Sequence, residues 1–356
     1  MDLIFQTILP FVGVLVALIV IHELGHYITA KLSGVKVLEA GLGYPPRMWG
    51  FTWRDTIYSI NWLPMGGFVR LLGEEDPSDP RSLAAKPRWI RLIVLASGSG
   101  MNFVLPIFLF AILFMIPRDV NVGLTQITQV VPGAPAEEAG LQNGDIIFEV
   151  NGDEVRNVGE VGRVIRLNLG ETVDFTVKHT DGVVEVLPVE SRWAPPSGQG
   201  PTGIQIATLY PFTEKESFPP WTAISKGTGE YRDTIILFRN EVFSWFKGGS
   251  GPEFAGPVGI AQTTGEIVEQ SGWEALLVLA ALLSFNLAVI NILPLPMLDG
   301  GRIAFVVLEI VRGGRRIAPE KEAIVHFVGL ALIITLAVVI TYFDVARIIG
   351  GESLLR

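Results

Sequence analysis

Apolar residues gather along the chain into four long runs, each long enough to cross a bilayer as a helix of about 20 residues. They extend from roughly Ile8 to Ala30, Leu92 to Ile116, Ala275 to Leu298 and Ala323 to Phe343. Pro87, Arg88 and Arg91 precede the second run, and Pro117 and Arg118 end it. Trp89 opens the second run and Trp273 the third, where interfacial tryptophans belong. No Lys or Arg precedes the first run, so it lacks the basic region of a secretory signal and is expected to be retained. The loop between the first two runs carries Lys31, Lys36, Arg47, Arg54, Arg70, Arg81, Lys86, Arg88 and Arg91. Arg302, Arg312, Arg315, Arg316 and Lys321 lie between the last two. The positive-inside rule then places both basic loops in the cytoplasm, and both termini and the long region between spans two and three outside it.

That long region changes period. Ile127–Ala136 reads as a β-run closed by a Pro/Gly turn, and Ala136–Leu141 as a short helix ending at Gly140. Asn143–Gly152 reads as turn, alternating strand and tight Asn-Gly turn. A helix near Val158–Leu167 and a hairpin pivoting on Asp181-Gly182 complete an αβ unit. With Pro135-Ala136, Ala139-Gly140-Leu141, Gly144-Asp145 and Val150-Asn151-Gly152, residues 121–190 resemble a bacterial PDZ domain. The resemblance implies binding of peptide termini or extended segments by strand addition to a sheet edge. Beyond it, Pro195–Pro201 has linker composition. Ile224–Phe246 has helical apolar spacing with Arg232 and Arg239 interleaved; it suits an amphipathic helix on the outer leaflet or a helix packed on the PDZ-like domain.

Composition narrows the chemistry. Hydrophobic residues make up 49% and charged residues 18%, which excludes a disordered chain and is too apolar for an ordinary soluble enzyme. A net charge of -9, with no long basic run, argues against a nucleic-acid partner. Cysteine is absent, so disulfides, thiol nucleophiles and thiolate-held metals are excluded. Any zinc site draws on His22, His26, His179 and His326, the four histidines, and on carboxylates.

His22-Glu23-Leu24-Gly25-His26 is an HExxH motif inside the first span. On a helix, residues four apart share a face, so both imidazoles can address one metal ion, and Glu23 beside them can take a proton from water. Ionisable groups inside an apolar span are costly and mark a functional site. A catalytic zinc site needs a third protein ligand. His179 belongs to the external unit and does not reach. His326 opens the fourth span and is one candidate. Asp299, in Asn291-Ile-Leu-Pro-Leu-Pro-Met-Leu-Asp-Gly-Gly301, is the better one. Spans one and three run in the same direction, so the HExxH and Asp299 reach similar depth. Pro294 and Pro296 break the helix there, which a membrane tolerates where the chain is buried in protein or lines a wet cavity.

HExxH in a first span, NxxPxPxLDGG in a third and a PDZ-like insertion between spans two and three together resemble the site-2 protease family, in its bacterial RseP-like branch. The resemblance covers essentially the whole chain. It implies a polytopic α-helical membrane protein with four transmembrane helices, a membrane-associated β-hairpin and an inserted αβ PDZ-like domain. The segments are 1–120 (two spans, HExxH, hairpin), 121–190 (PDZ-like), 191–273 (linker and amphipathic segment) and 274–356 (two spans, LDG motif). It further implies a zinc-dependent endopeptidase of the bacterial inner membrane, active near the cytoplasmic side on single-span membrane proteins. His22, His26 and Asp299 become zinc ligands, Glu23 the catalytic base and Asn291 a contact to the substrate backbone. Thr52–Leu72, with Met65-Gly66-Gly67-Phe68-Val69, corresponds to the family's hairpin, so Gly66, Gly67 and Phe68 become substrate-binding residues. Gly98-Ser-Gly-Met-Asn-Phe103 is similar to a G-P-x-x-N-F run with Ser99 in place of proline; a helix-packing role for Gly98 and Gly100 competes with a role for Asn102. Gly256–Ala261 matches a further family run with no evident physical role. A peptide-capturing receptor is the rival reading, against which the glutamate of HExxH speaks. A zinc transporter would need several such clusters along a path, and one is visible.

Overall fold

The computed structural model describes residues 7–74, 76–249, 251 and 256–350; the outermost residues of the first and last segments, 1–6 and 351–356, lie outside them. In chain order, α1 (Leu9–Leu32) leads to β1 (Val37–Trp53), β2 (Thr56–Leu71) and α2 (Arg88–Met115). Next come β3 (Arg118–Val130), α3 (Pro135–Glu138), β4 (Ile146–Val150), β5 (Asp153–Glu154), α4 (Val158–Leu167), β6 (Thr172–Lys178), β7 (Val184–Glu190) and β8 (Ile204–Glu216). Helices α5 (Pro220–Phe246), α6 (Pro257–Ser271), α7 (Ala275–Ile292), α8 (Asp299–Val311) and α9 (Pro319–Ile349) follow. Two compact units result, one from residues 1–113 with 254–356, the other from 114–253.

Among the described residues, the first unit holds four helices long and apolar enough to cross a membrane: α1, α2, α7 and α9. They coincide with the four apolar runs of the sequence, except that the third stops early. Helix α7 ends at Ile292, the segment with Pro294 and Pro296 is non-helical, and Asp299 starts a separate helix, α8. Proline removes a backbone donor and clashes with the preceding turn, which ends the helix there. The loop then folds tightly back. A Cβ on Gly300 would strike Leu293 O and one on Gly301 Leu295 O, so glycine is required at both. Helix α9 holds the loop from the other side: Met297 N donates to His326 Nδ1 at 2.8 Å, and Gly329 lies against Pro296.

The Gly256–Ala261 run acquires a physical role here. It opens α6, and the Asp344 carboxylate of α9 accepts from Gly259 N at 2.8 Å. Added Cβ atoms at Gly256 and Gly259 would come within 2.6 and 2.8 Å of that carboxylate. The two glycines admit a buried anion to the positive end of a helix.

Strands β1 and β2 turn on Arg54 and Asp55, both at positive φ (46° and 62°), as a two-residue hairpin turn needs. Residues 39–42 register on one side with 57–60 and on the other with 67–70. Among the described residues, Gly67–Leu71 therefore pair with β1 alone and form an outer edge.

The second unit is a sheet of order β7-β6-β4-β3-β8, with β5 paired to β4. Its core gathers Ile127, Ile147, Val161, Phe175, Val177 and Val189, alternate residues of the strands and one face of α4. Asn157 caps α4 by accepting from Glu160 N at 3.0 Å. The sheet continues past Glu190: β8 lies beyond the Pro/Gly-rich stretch and pairs along β3 from Arg118↔Glu216 to Val130↔Ile204. Helix α5 is tied to α4. Arg163 bridges Glu230 at 2.6 Å and Asp233 at 2.8 Å, and the buried Asn240 Nδ2 donates to the carbonyls of Arg166 and Leu167 at the end of α4, both at 2.9 Å.

Candidate metal centre

Helix α1 carries His22 and His26 one turn apart, and both are buried. The first residue of α8, Asp299, meets them: its Oδ2 lies 3.0 Å from His22 Nε2 and 3.2 Å from His26 Nε2, and the two nitrogens are 3.2 Å apart. Three donors at the corners of a near-equilateral triangle are what a tetrahedral ion demands. At zinc–ligand distances of about 2.0–2.1 Å, ligand atoms stand about 3.3 Å apart. Among the described residues this is the cluster of histidine and carboxylate groups suited to a metal.

The surroundings support the same use. His26 Nδ1 lies 2.8 Å from Val94 O of α2; a carbonyl only accepts, so Nδ1 carries the proton and Nε2 keeps its lone pair for the cluster. Helices α1 and α2 approach unusually closely. A Cβ on Gly25 would meet Ser97 O and, at 2.8 Å, Met101 Cγ. A Cβ on Gly98 would meet His26 Nε2, His22 Nε2 at 2.6 Å and His22 Cε1 at 2.7 Å. Gly98 thus leaves open the space into which both ring nitrogens point.

Glu23 occupies the neighbouring face of α1. Together with Val20, Leu24 and Tyr27 it lines a cavity of about 250 Å³ whose far wall is Gly41, Tyr58, Gly67, Phe68 and Val69. Gly67, Phe68 and Val69 belong to the stretch of β2 that, among the described residues, pairs with β1 alone. The outer edge of β2 packs on the same helix: an added Cβ on Gly66 (φ 100°) would meet Ile19, and one on Gly67 would come to 3.6 Å of Val20 and 3.8 Å of Glu23. Of the residues singled out by sequence, His22, His26 and Asp299 come together as donors. Glu23, Gly67 and Phe68 share the cavity, with Gly66 next to them. Asn291 is half-buried in the last turn of α7 and does not line the cavity. His326 supports the Asp299 loop instead of joining the cluster, and His179 bonds Asp145 in the second unit. Gly98 and Val94 were not legible as parts of the site; the one available signal was a glycine-rich run in an otherwise apolar span.

Comparison with known proteins decides the family. The profile of peptidase family M50 matches residues 10–336. The chain belongs to peptidase family M50, the site-2 protease family. Among its relatives is the zinc metalloprotease RasP of Oceanobacillus iheyensis, 30% identical over 96% of this chain and 99% of that protein. A putative zinc metalloprotease of Clostridium perfringens is 34% identical over 92% of this chain and 95% of its own length. Among solved structures, the PDZ domain of an SdrC-like protein from Listeria innocua matches 26% of this chain and 98% of that one, at 25% identity and a TM-score of 0.21.

Proposed function

We propose that this M50 peptidase is a zinc-dependent endopeptidase that cleaves membrane-spanning segments of other proteins within the bilayer. The observation that carries the reading is the donor triangle of His22, His26 and Asp299 among apolar helices, with Glu23 opening from the next face of α1 into a cavity walled by a free strand edge. The site residues are His22, His26 and Asp299 for zinc and Glu23 as base. Zinc held by these three residues would supply Lewis-acid chemistry, polarising a carbonyl and lowering the pKa of a bound water.

The chain's own groups supply the rest. A helical substrate shields its carbonyls, so it must first be drawn into an extended form. The edge at Gly66–Val69 offers backbone groups for that pairing, and Phe68 lines the wall beside it. Glu23, on the cavity wall opposite that edge, takes a proton from water as the oxygen attacks the carbonyl carbon. It then delivers that proton to the amide nitrogen as the C–N bond breaks, leaving a carboxyl and an amine terminus. Asn291, at the foot of α7, is a second contact to the substrate backbone.

The chain sits in the bacterial inner membrane as a multi-pass protein, with both termini and the second unit outside the cytoplasm and the metal centre near the cytoplasmic side. Exposed Trp49, Phe51, Trp53 and Trp62 suit a β1–β2 hairpin at the membrane interface. The second unit is a PDZ-like filter that takes extended segments or termini of single-span substrates. Support comes from the basic loops, the four apolar helices and the PDZ-like motifs of residues 121–190.

The test is cleavage of a model transmembrane substrate in detergent by the wild type and Glu23→Gln, with zinc measured in both. Cleavage should fall by about 10²–10⁴-fold, the usual weight of a general base, with zinc retained. Equal cleavage by both proteins defeats the assignment. Zinc bound by both with cleavage by neither favours the peptide-capturing receptor.

A further inference from the structure

Three buried polar groups beside the metal centre have no hydrogen-bond partner among the described residues: His22 Nδ1, Ser99 Oγ, and both side-chain polar atoms of Asn102. Asn102 is 1% exposed and Ser99 4%, within the span α2. An amide orphaned in an apolar interior is costly, so such a group needs a reason to be there.

The register of α1 and α2 supplies one. Val94, Gly98 and Asn102 follow at intervals of four residues and so form one stripe of α2. Val94 O bonds His26, and Gly98 faces both His26 and His22. Moving up α2 therefore moves back along α1, and Asn102 arrives one turn beyond Gly98 on the His22 side. The Nε2 of His22 is turned to His26 and Asp299, which leaves Nδ1 on the opposite edge of the ring. A metal-ligating histidine almost always donates its second N–H to a fixed acceptor, which sets the tautomer and the ring orientation. His26 has such an acceptor in Val94 O; His22 does not.

We infer that Asn102 is the positioning residue for His22: its Oδ1 accepts from His22 Nδ1–H when the centre is loaded, and its Nδ2 donates to Ser99 Oγ three residues back. One rotation of a single amide would satisfy all three orphaned groups. Asn102 does not touch the substrate or the reacting atoms, and it acts through His22 alone. Its backbone is already fixed, since Asn102 O accepts from Ser284 Oγ of α7 at 2.8 Å. The inference rests on the reading of His22, His26 and Asp299 as a metal centre.

The test measures zinc affinity of the full chain in detergent against a chromophoric chelator, with thermal unfolding of the metal-free proteins alongside. Asn102→Leu keeps the branched shape and removes the polar atoms; Asn102→Asp keeps an acceptor. A positioning role predicts 10–100-fold weaker zinc binding in Asn102→Leu, affinity close to wild type in Asn102→Asp, and metal-free unfolding in Asn102→Leu unchanged or shifted upward. A merely structural amide predicts the reverse for the metal: the apolar isostere is neutral or stabilising and holds zinc as tightly as wild type, which overturns the inference. If Asn102→Leu does not fold, Asn102→Ala is judged by the same affinity criterion. A wild type that takes up no zinc brings down the metal-centre reading itself, a different failure from equal affinities in wild type and variant.

Discussion

Replacing Gly98 by alanine should empty the metal centre while leaving the helices in place. The added Cβ would stand 2.6 Å from His22 Nε2, where ordinary contact begins at 3.4 Å. The overlap is 3.4 − 2.6 = 0.8 Å, and His26 Nε2 is met as well. His26 cannot simply swing away, because its Nδ1 is bonded to Val94 O on the same helix as the intruding methyl. A metal ion needs to lie about 2.0–2.1 Å from both Nε2 atoms, in the space the methyl would take. The expected result is at least a hundredfold loss of zinc affinity, about 2.7 kcal/mol. Overpacking should lower metal-free stability by about 1–3 kcal/mol. Gly100→Ala is the control on the same helix: a Cβ there has nothing within 4 Å, and the exchange should be neutral or stabilising by up to about 1 kcal/mol. Zinc per chain after equilibration against graded chelator, and melting curves without metal, read both effects. A Gly98→Ala protein that keeps wild-type zinc affinity would refute the placement of the ion between α1 and α2.

Other expectations follow from the second unit. Phe175 is fully buried in its core, so Phe175→Ala should destabilise that unit by about 3–5 kcal/mol, seen as lost amide-exchange protection in β4 and β6 with zinc content unchanged; retained protection there contradicts the core assignment. His179 donates to the buried Asp145 carboxylate at 2.9 Å, and that bond raises its pKa above the ordinary value. The stability it contributes is complete below about 6.5, the unfolded value, and is lost as pH rises through the higher folded one. NMR titration of the four histidines should give His179 a midpoint above about 6.5 in the wild type and a lower one in Asp145→Asn; an unmoved midpoint would rule out Asp145 as the cause.

The sequence made the site legible where its chemistry is local. His22 and His26 are one turn apart, and a helix through a span leaves them a single shared face. Asp299 could be reached because spans one and three run the same way and because Pro294 and Pro296 announce a break. What stayed hidden depends on contacts far apart in the chain. No local pattern says that Gly98 sits over the imidazoles or that Val94 O fixes His26. None says that Gly256 and Gly259 make room for Asp344. Strand β8 was obscured because the Pro/Gly-rich stretch before it reads as the end of a domain, whereas the alternation from Ile204 resumes the sheet along β3. The packing of α5 on α4 is set by Arg163 and Asn240, polar residues whose partners no period reveals.

The adjacency of His22 and Glu23 in HExxH has a geometric consequence in this fold. One residue along an α-helix is a turn of about 100°, so the imidazoles and the Glu23 carboxylate occupy different walls of α1 although they are neighbours in the chain. The imidazoles face α2 and the start of α8, a wall closed by Gly98 and Asp299. Glu23 faces the strand edge, a wall left open as a cavity. The closed wall can be dry and rigid, which metal ligands require to keep their geometry. The open wall leaves a cavity of about 250 Å³ in front of the carboxylate. Gly67, Phe68 and Val69 of β2 line that open wall, and an added Cβ on Gly67 would come to 3.8 Å of Glu23. A shift of that strand would therefore reshape the wall that Glu23 faces and leave the donor triangle, held by α1 and the start of α8, in place.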